Sequence, residues 1–301
     1  MLVHQFPDIN MVRQLRNDAA TPVNKWRNIA LNIKCKQVSR TGVESPYSLF
    51  LNKTGHSFCR VGDRQYRVET DQFLFTRPGD VYDLEIDNPK QTEIFNIHIN
   101  KDFVDSWAGT LITPNELLLD NSQKSLPGAP FLLTQLYAKD TVIDSLVNQL
   151  GRVEQSDTPG FDLVLGNIVK YLLTCDEKIR KQIAGLPATK AAVQVDIYRR
   201  MAIAKDYIYS NYNRTLDLDE LSREVAVSKF HFLRLFKECY GISPYQYLAK
   251  VRLEKGARLL KVTSLSVNEI ADDLGFEYPN SFIKAFQKSY GLPPLRFRKL
   301  Q

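Results

Sequence analysis

Asp219-Glu220-Leu221-Ser222-Arg223-Glu224-Val225-Ala226 returns, at an offset of 49, as Asn268-Glu269-Ile270-Ala271-Asp272-Asp273-Leu274-Gly275. Phe232-Leu233-Arg234-Leu235-Phe236-Lys237-Glu238-Cys239-Tyr240-Gly241-Ile242-Ser243-Pro244 returns at an offset of 50 as Phe282-Ile283-Lys284-Ala285-Phe286-Gln287-Lys288-Ser289-Tyr290-Gly291-Leu292-Pro293-Pro294. The second copy therefore carries one extra residue between its halves. Each copy reads as helix, tight turn, helix. Asp217 with Glu220, and Ser266 with Glu269, are capping pairs that open the first helices. Ala226 and Gly275 fall at the turns. Phe232, Leu235 and Phe236 share one face of the next helix, Pro279 suits its first turn in the second copy, and Gly241 and Gly291 end it.

Ser228-Lys229-Phe230-His231-Phe232-Leu233-Arg234-Leu235-Phe236-Lys237, Arg252 to Leu260, Ile270-Ala271 with Gly275-Phe276, and Ser281-Phe282 to Phe286 resemble the DNA-binding domain of AraC/XylS-type transcription regulators. The resemblance covers roughly residues 200 to 300. Two residues depart from it. Gly256 stands where the family usually has Ala, which should weaken a helix by about 1 kcal/mol, and Leu233 replaces a usually polar residue.

Charge points the same way. From Arg199 onward 18 Lys and Arg stand against 11 Asp and Glu, a net of +7, whereas the whole chain of 301 residues carries +6. A basic surface attracts phosphate backbones and makes binding salt-dependent. The hydrophobic content of 44% is that of a globular protein, and no apolar run is long enough to span a membrane. The first residues lack an export signal, and four scattered cysteines without a Cys-x-x-Cys pair predict reduced thiols in a cytoplasm.

Between about Ile29 and Asn100, short apolar or alternating runs are separated by turn signals such as Gly62-Asp63, Arg77-Pro78-Gly79-Asp80 and Asp87-Asn88-Pro89, which predicts strands. The turns resemble those of the cupin-like domain that often precedes AraC-type DNA-binding domains. Metal-using cupins hold their ion with a His-x-His pair, a Glu and a distant His. Here His56 and His98 have no partner at ligand spacing, so no metal, no cofactor and no catalytic residue is expected. Asn96, His98 and Tyr82 are the candidate effector-binding residues, with an outward polar position on a half-buried strand as the alternative for His98. Asp140 to Glu154 and Phe161 to Lys181 carry helical apolar stripes.

The expected architecture is multidomain α and β. A cupin-like β-barrel domain for effector binding or dimerisation (1–130) carries a helical hairpin (131–183); a linker (184–198) leads to an all-α DNA-binding domain (199–301) with two helix-turn-helix motifs joined by a helix, Pro244 to Lys261. The second helix of such a motif enters the major groove. Its outward residues are Phe230, Leu233, Arg234 and Lys237 in the first copy, and Pro279, Asn280, Ser281, Lys284 and Lys288 in the second. Arg and Lys suit guanine or phosphate, Asn suits adenine, and Phe and Leu suit thymine methyls. Arg252 is expected to brace the domain by pairing with Glu269 or Asp272. The predicted function is a cytoplasmic, sequence-specific transcription regulator that binds double-stranded DNA, with no membrane partner. The resemblance implies an activator that recruits RNA polymerase. For the N-terminal domain the alternatives are a small-molecule sensor, a homodimerisation module and, remotely, a DNA-tethered cupin enzyme.

Overall fold

The computed structural model describes residues 1–5, 27–111, 133–154, 156–188 and 190–300. It divides into two compact units, Met1–Gln182 and Ile183–Gln301. The boundary expected at residue 130 lies outside the described residues.

The first unit is built on eight strands: β1 (Leu2–Val3), β2 (Ile29–Glu44), β3 (Tyr47–Thr54), β4 (Ser57–Val61), β5 (Arg64–Val68), β6 (Gln72–Thr76), β7 (Val81–Ile99) and β8 (Gln135–Ala138). Their order is β1-β2-β7-β3-β6-β8, with the β4–β5 hairpin attached to β7. The first half of β7 pairs with β4 and the end of β2, and the second half with β3 and the start of β2. Asp87-Asn88-Pro89, predicted to be a turn between two strands, instead lies inside β7. Residues 88–91 bulge from the ladder between the pairs Gln37↔Asp87 and Cys35↔Thr92. Asn88 holds the bulge from within, donating Nδ2 to the His56 carbonyl (2.7 Å) and to Thr92 Oγ1 (2.6 Å). A buried amide with two acceptors replaces the solvent that a turn Asn would face. Among the described residues β1 and β8 each pair on one side alone, so the ladders form an open sheet and not the closed barrel expected.

Residues 94–99 are all buried, as are 47–52, so both faces of the central strands are covered. Helices α1 (Lys101–Leu111), α2 (Thr141–Leu150) and α3 (Thr158–Ala184) complete the unit. Asp140 caps α2 by accepting from the Val142 and Ile143 amides, and Ile143, Val147 and Leu150 turn inward. Trp107 of α1 packs so closely on Gly166 of α3 that any Cβ there would sit about 2.0 Å from its ring.

The second unit is helical: α4 (Ala191–Ser210), α5 (Leu218–Glu224), α6 (Lys229–Tyr240), α7 (Pro244–Val262), α8 (Val267–Asp273), α9 (Pro279–Tyr290) and α10 (Pro294–Lys299). Residues 191–198, read as linker, are the first two turns of α4. Their alanines favour helix, and Tyr198, Met201, Ala202, Ile208 and Tyr209 bury one side of it against α5, α6 and α7. The α5–α6 turn runs from Val225 to Ser228 and the α8–α9 turn from Leu274 to Tyr278, which places the extra residue as the repeat predicts. Gly275 adopts φ +75°, and Ala226, at the matching place, adopts φ +52°. Arg200 of α4 braces that less favourable turn, donating Nη1 to the carbonyls of Val225 (2.9 Å) and Ala226 (3.3 Å).

The connecting helix α7 has 19 residues and so spans about 28 Å. Ser243 and Gln246 close a capping box around Pro244 at its start. Arg252 does brace the domain, but through other partners than Glu269 or Asp272. Its Nε donates to the Tyr212 carbonyl (2.7 Å), its Nη2 to the Arg214 carbonyl (2.9 Å), and its guanidinium stacks on Phe276. Both carbonyls lie in the loop that follows α4, outside any helical ladder, and a fork-shaped donor can satisfy the two at once.

Gly256 also gains a reason. A Cβ there would lie 2.8 Å from the Phe282 ring and 3.0 Å from Leu274, and both neighbours are fully buried. Gly256→Ala would gain about 1 kcal/mol of helix propensity and lose about 1 to 3 kcal/mol to overpacking. We expect net destabilisation of about 1 kcal/mol, read as a lower urea midpoint; a higher midpoint would show that α9 can shift away from α7.

Candidate nucleic-acid interface

The two second helices, α6 and α9, are built alike. Phe232, Leu235, Phe236 and Cys239 are buried on α6, and Phe282 and Phe286 on α9. Each phenylalanine pair meets edge to face, at centroid distances of 5.7 Å and 5.5 Å. Burying this side forces the opposite side outward. On α6 that side presents Phe230, Arg234 and Lys237 as exposed residues and Leu233 half-buried. Phe230 is 87% exposed, although a phenylalanine side chain gains about 1.5 to 3 kcal/mol when buried. Arg234 is held only loosely, 3.8 Å from Glu238. On α9 the outward residues are Asn280, Ser281, Lys284 and Lys288, all exposed, with Pro279 half-buried at the start. The nine residues named from the sequence thus fall on two faces, each opposite an aromatic core.

The sequence reading left out Tyr278. It is the N-cap of α9, 61% exposed, and occupies the place of Ser228 in the first copy. The one-residue insertion before α9 was the signal available for it. Below the first motif, Arg214 pairs with Glu220, which also accepts from the Tyr207 hydroxyl. This pair draws Glu220 away from the reciprocal capping bond, and the guanidinium holds the Glu220 carboxyl below its usual range. Lys255 is buried, with its ammonium on the Tyr209 hydroxyl and over the Tyr209 and Tyr212 rings.

Known proteins can be set beside this geometry. A family model described as a helix-turn-helix domain matches residues 221–300. The lactose operon transcription activator of Staphylococcus xylosus is 24% identical over 244 residues, 80% of this chain and 79% of that protein. The transcriptional regulator GbdR of Pseudomonas aeruginosa is 39% identical over 85 residues, 28% of this chain and 23% of its own length. The raffinose operon regulatory protein RafR of Pediococcus pentosaceus is 27% identical, over 56% of this chain and 53% of its own length. Apart from the Staphylococcus protein, the chain thus matches about half or less of these relatives. Among solved structures, the C-terminal domain of AraT, a response regulator from Geobacillus stearothermophilus, is 34% identical over 35% of this chain and 85% of its own, with a TM-score of 0.33.

The C-terminal third is an AraC-type DNA-binding domain. The relatives that share it are transcription regulators, and domains of the AraC type bind double-stranded DNA. Among the described residues no group of three His, Cys, Asp or Glu side chains is placed to hold a metal ion, and no helix is long and apolar enough to cross a membrane.

The candidates for effector binding belong to the first unit and lie in its core. Asn96, His98 and Tyr82 are all buried, and the outward position that was the alternative for His98 is not what the strand gives it. Its Nδ1 meets Ser48 Oγ at 2.8 Å, and Ser48 continues through Ser45 to Thr76. Burial lowers the His98 pKa from 6.5 to about 4. With the folded value below the unfolded one, the unfolded chain takes up the proton first as the pH falls. The stabilisation from a neutral His98 is intact above about pH 6.5 and lost between there and about pH 4, up to about 3 kcal/mol. Residues 1–182 should accordingly lose more stability between pH 7 and pH 4.5 than the same fragment with His98→Gln. Equal losses in urea titrations would show that His98 titrates normally.

Proposed function

We propose that the chain is a sequence-specific regulator, working as an activator in the cytoplasm, which reads two neighbouring major grooves with α6 and α9 and controls them through its N-terminal unit. The observation that carries this reading is the pair of outward faces on helices packed against one rod of about 28 Å, close to the roughly 34 Å repeat of a DNA groove. The faces differ in chemistry. Phe230 and Leu233 suit thymine methyls and Arg234 suits guanine, whereas Asn280 and Ser281 suit adenine and other hydrogen-bonding edges; Lys237, Lys284 and Lys288 suit phosphate or guanine. Pro279 sets the entry of α9.

The names of two relatives, activator of a lactose operon and regulator of a raffinose operon, support control of an operon, and contact with RNA polymerase is what an activator would add. For the N-terminal unit we favour a cupin-like sensor of a small molecule, supported by the pairing of β7 with β2, β3 and β4. Exposed Val142 and Leu163 on α2 and α3 support homodimerisation by the same unit.

Residues 183–301 alone should retain specific DNA binding in gel-shift assays, while residues 1–182 should not bind; specific binding by the latter sinks the reading. Lys288→Ala should weaken binding to all sequences and lower the salt slope by about one unit. Arg234→Ala should cost about 1 to 3 kcal/mol on the preferred site and relax one base position. If both variants behave alike, the division into positioning and reading residues is wrong. Replacing thymine by uracil beneath Leu233 removes one methyl, worth on the order of 0.8 kcal/mol if fully buried. Since Leu233 is half-buried, a smaller loss is expected, and Leu233→Ala should be insensitive to the replacement.

A further inference from the structure

The first unit has an open cleft of about 450 Å³, and it does not involve Asn96, His98 or Tyr82. It lies between the β4–β5 hairpin and the turn from Arg77 to Val81, with Thr134 at its side. Its volume falls within the range of about 300 to 1,000 Å³ common for small-molecule sites.

Five charged side chains line it: Arg60, Arg64, Arg77, Asp80 and Asp83. The two carboxylates are already occupied. Asp80 accepts from the Arg77 amide (2.9 Å) and from the Thr134 hydroxyl, and its own backbone is tied to Ser45 and Arg77. Asp83 accepts from the Gly42 amide at 2.8 Å. None of the three guanidiniums, by contrast, lies within ion-pair distance of a carboxylate among the described residues, although Arg60 stands directly across the ladder from Asp83. Elsewhere in the same sheet cations are matched: Arg67 pairs with Glu69 at 2.8 Å, and Lys34 and Lys53 share Glu93.

We propose that this cleft binds a small anion bearing a phosphate or carboxylate group, held by Arg60, Arg64 and Arg77. The planar fork of a guanidinium matches both groups with two parallel hydrogen bonds, and three forks converging on one cleft can hold one anionic group or two. Asp80 and Asp83, bonded as they are to backbone amides, shape the walls and turn the anionic group of the ligand toward the guanidiniums. The proposal rests on the sensor reading of the N-terminal unit and gives that reading a place and a ligand class. Because the guanidiniums are exposed, binding should weaken as salt rises.

The test is calorimetric titration of the full chain at low salt with inorganic phosphate, citrate, glucose 6-phosphate and, as the neutral comparison, lactose. Variants are Arg60→Gln, Arg64→Gln and Arg77→Gln, with Lys90→Gln, outside the cleft, as control. At least one anion should bind, lactose should not, and each arginine variant should weaken binding about tenfold while the control leaves it unchanged. Anion binding that survives all three arginine changes overturns the site. Binding of lactose alone overturns the ligand class while leaving the sensor reading standing, and binding of no probe overturns the proposal. Lactose binding unaffected by the arginine changes would place the sensor pocket elsewhere in the unit.

Discussion

Everything in the C-terminal unit depends on two pairs of phenylalanines, Phe232 with Phe236 and Phe282 with Phe286, four residues apart on two helices and all fully buried. An i, i+4 pair defines one stripe of a helix and leaves the opposite stripe to solvent. The core therefore decides which residues can meet DNA. Around these pairs the chain places small residues where helices approach: Gly256 under Phe282, and Gly275 where a Cβ would meet the Asn213 carbonyl at 2.4 Å. Arg200 and Arg252 then tie loose carbonyls at the turns and at the end of α4.

The helical repeat was legible because its signals are local. Caps, apolar spacing and terminal glycines lie within a few residues of the structure they cause, so helix ends and the extra turn residue could be read directly. What stayed hidden was non-local. The partners of Arg252 are carbonyls about forty residues earlier in the chain, and no pattern near Arg252 announces them. The first turns of α4 resemble a linker in sequence because an alanine-rich run has no strong apolar stripe, and the helix is supported by packing on three others.

In the first unit the strand segments were legible, but their connections were not. Asp87-Asn88-Pro89 carries every mark of a turn, yet hydrogen bonds from a buried Asn88 keep β7 continuous. His98 shows the same limit. Alternation along a strand predicts an outward polar residue when one face is wet, and here both faces are covered. The side chain is then held by the Ser48 hydroxyl of β3, whose arrival opposite it depends on register. The cleft with its three arginines was invisible for a similar reason, since Arg60, Arg64 and Arg77 come from a hairpin and a turn that only the folded sheet brings together.

The two outward faces of the C-terminal unit are unlike: one is aromatic and aliphatic with a guanidinium and an amine, the other amide, hydroxyl and amine. A protein whose two reading heads matched and were related by a two-fold axis would grip a site equally well after being turned end for end. This one would exchange a methyl-seeking face for a hydrogen-bonding one, and lose its fit at both halves. On the reading proposed above, its site therefore has a head and a tail. On that reading, polarity along DNA, which a regulator needs if it is to address the gene on one flank and not the other, is carried by a single polypeptide.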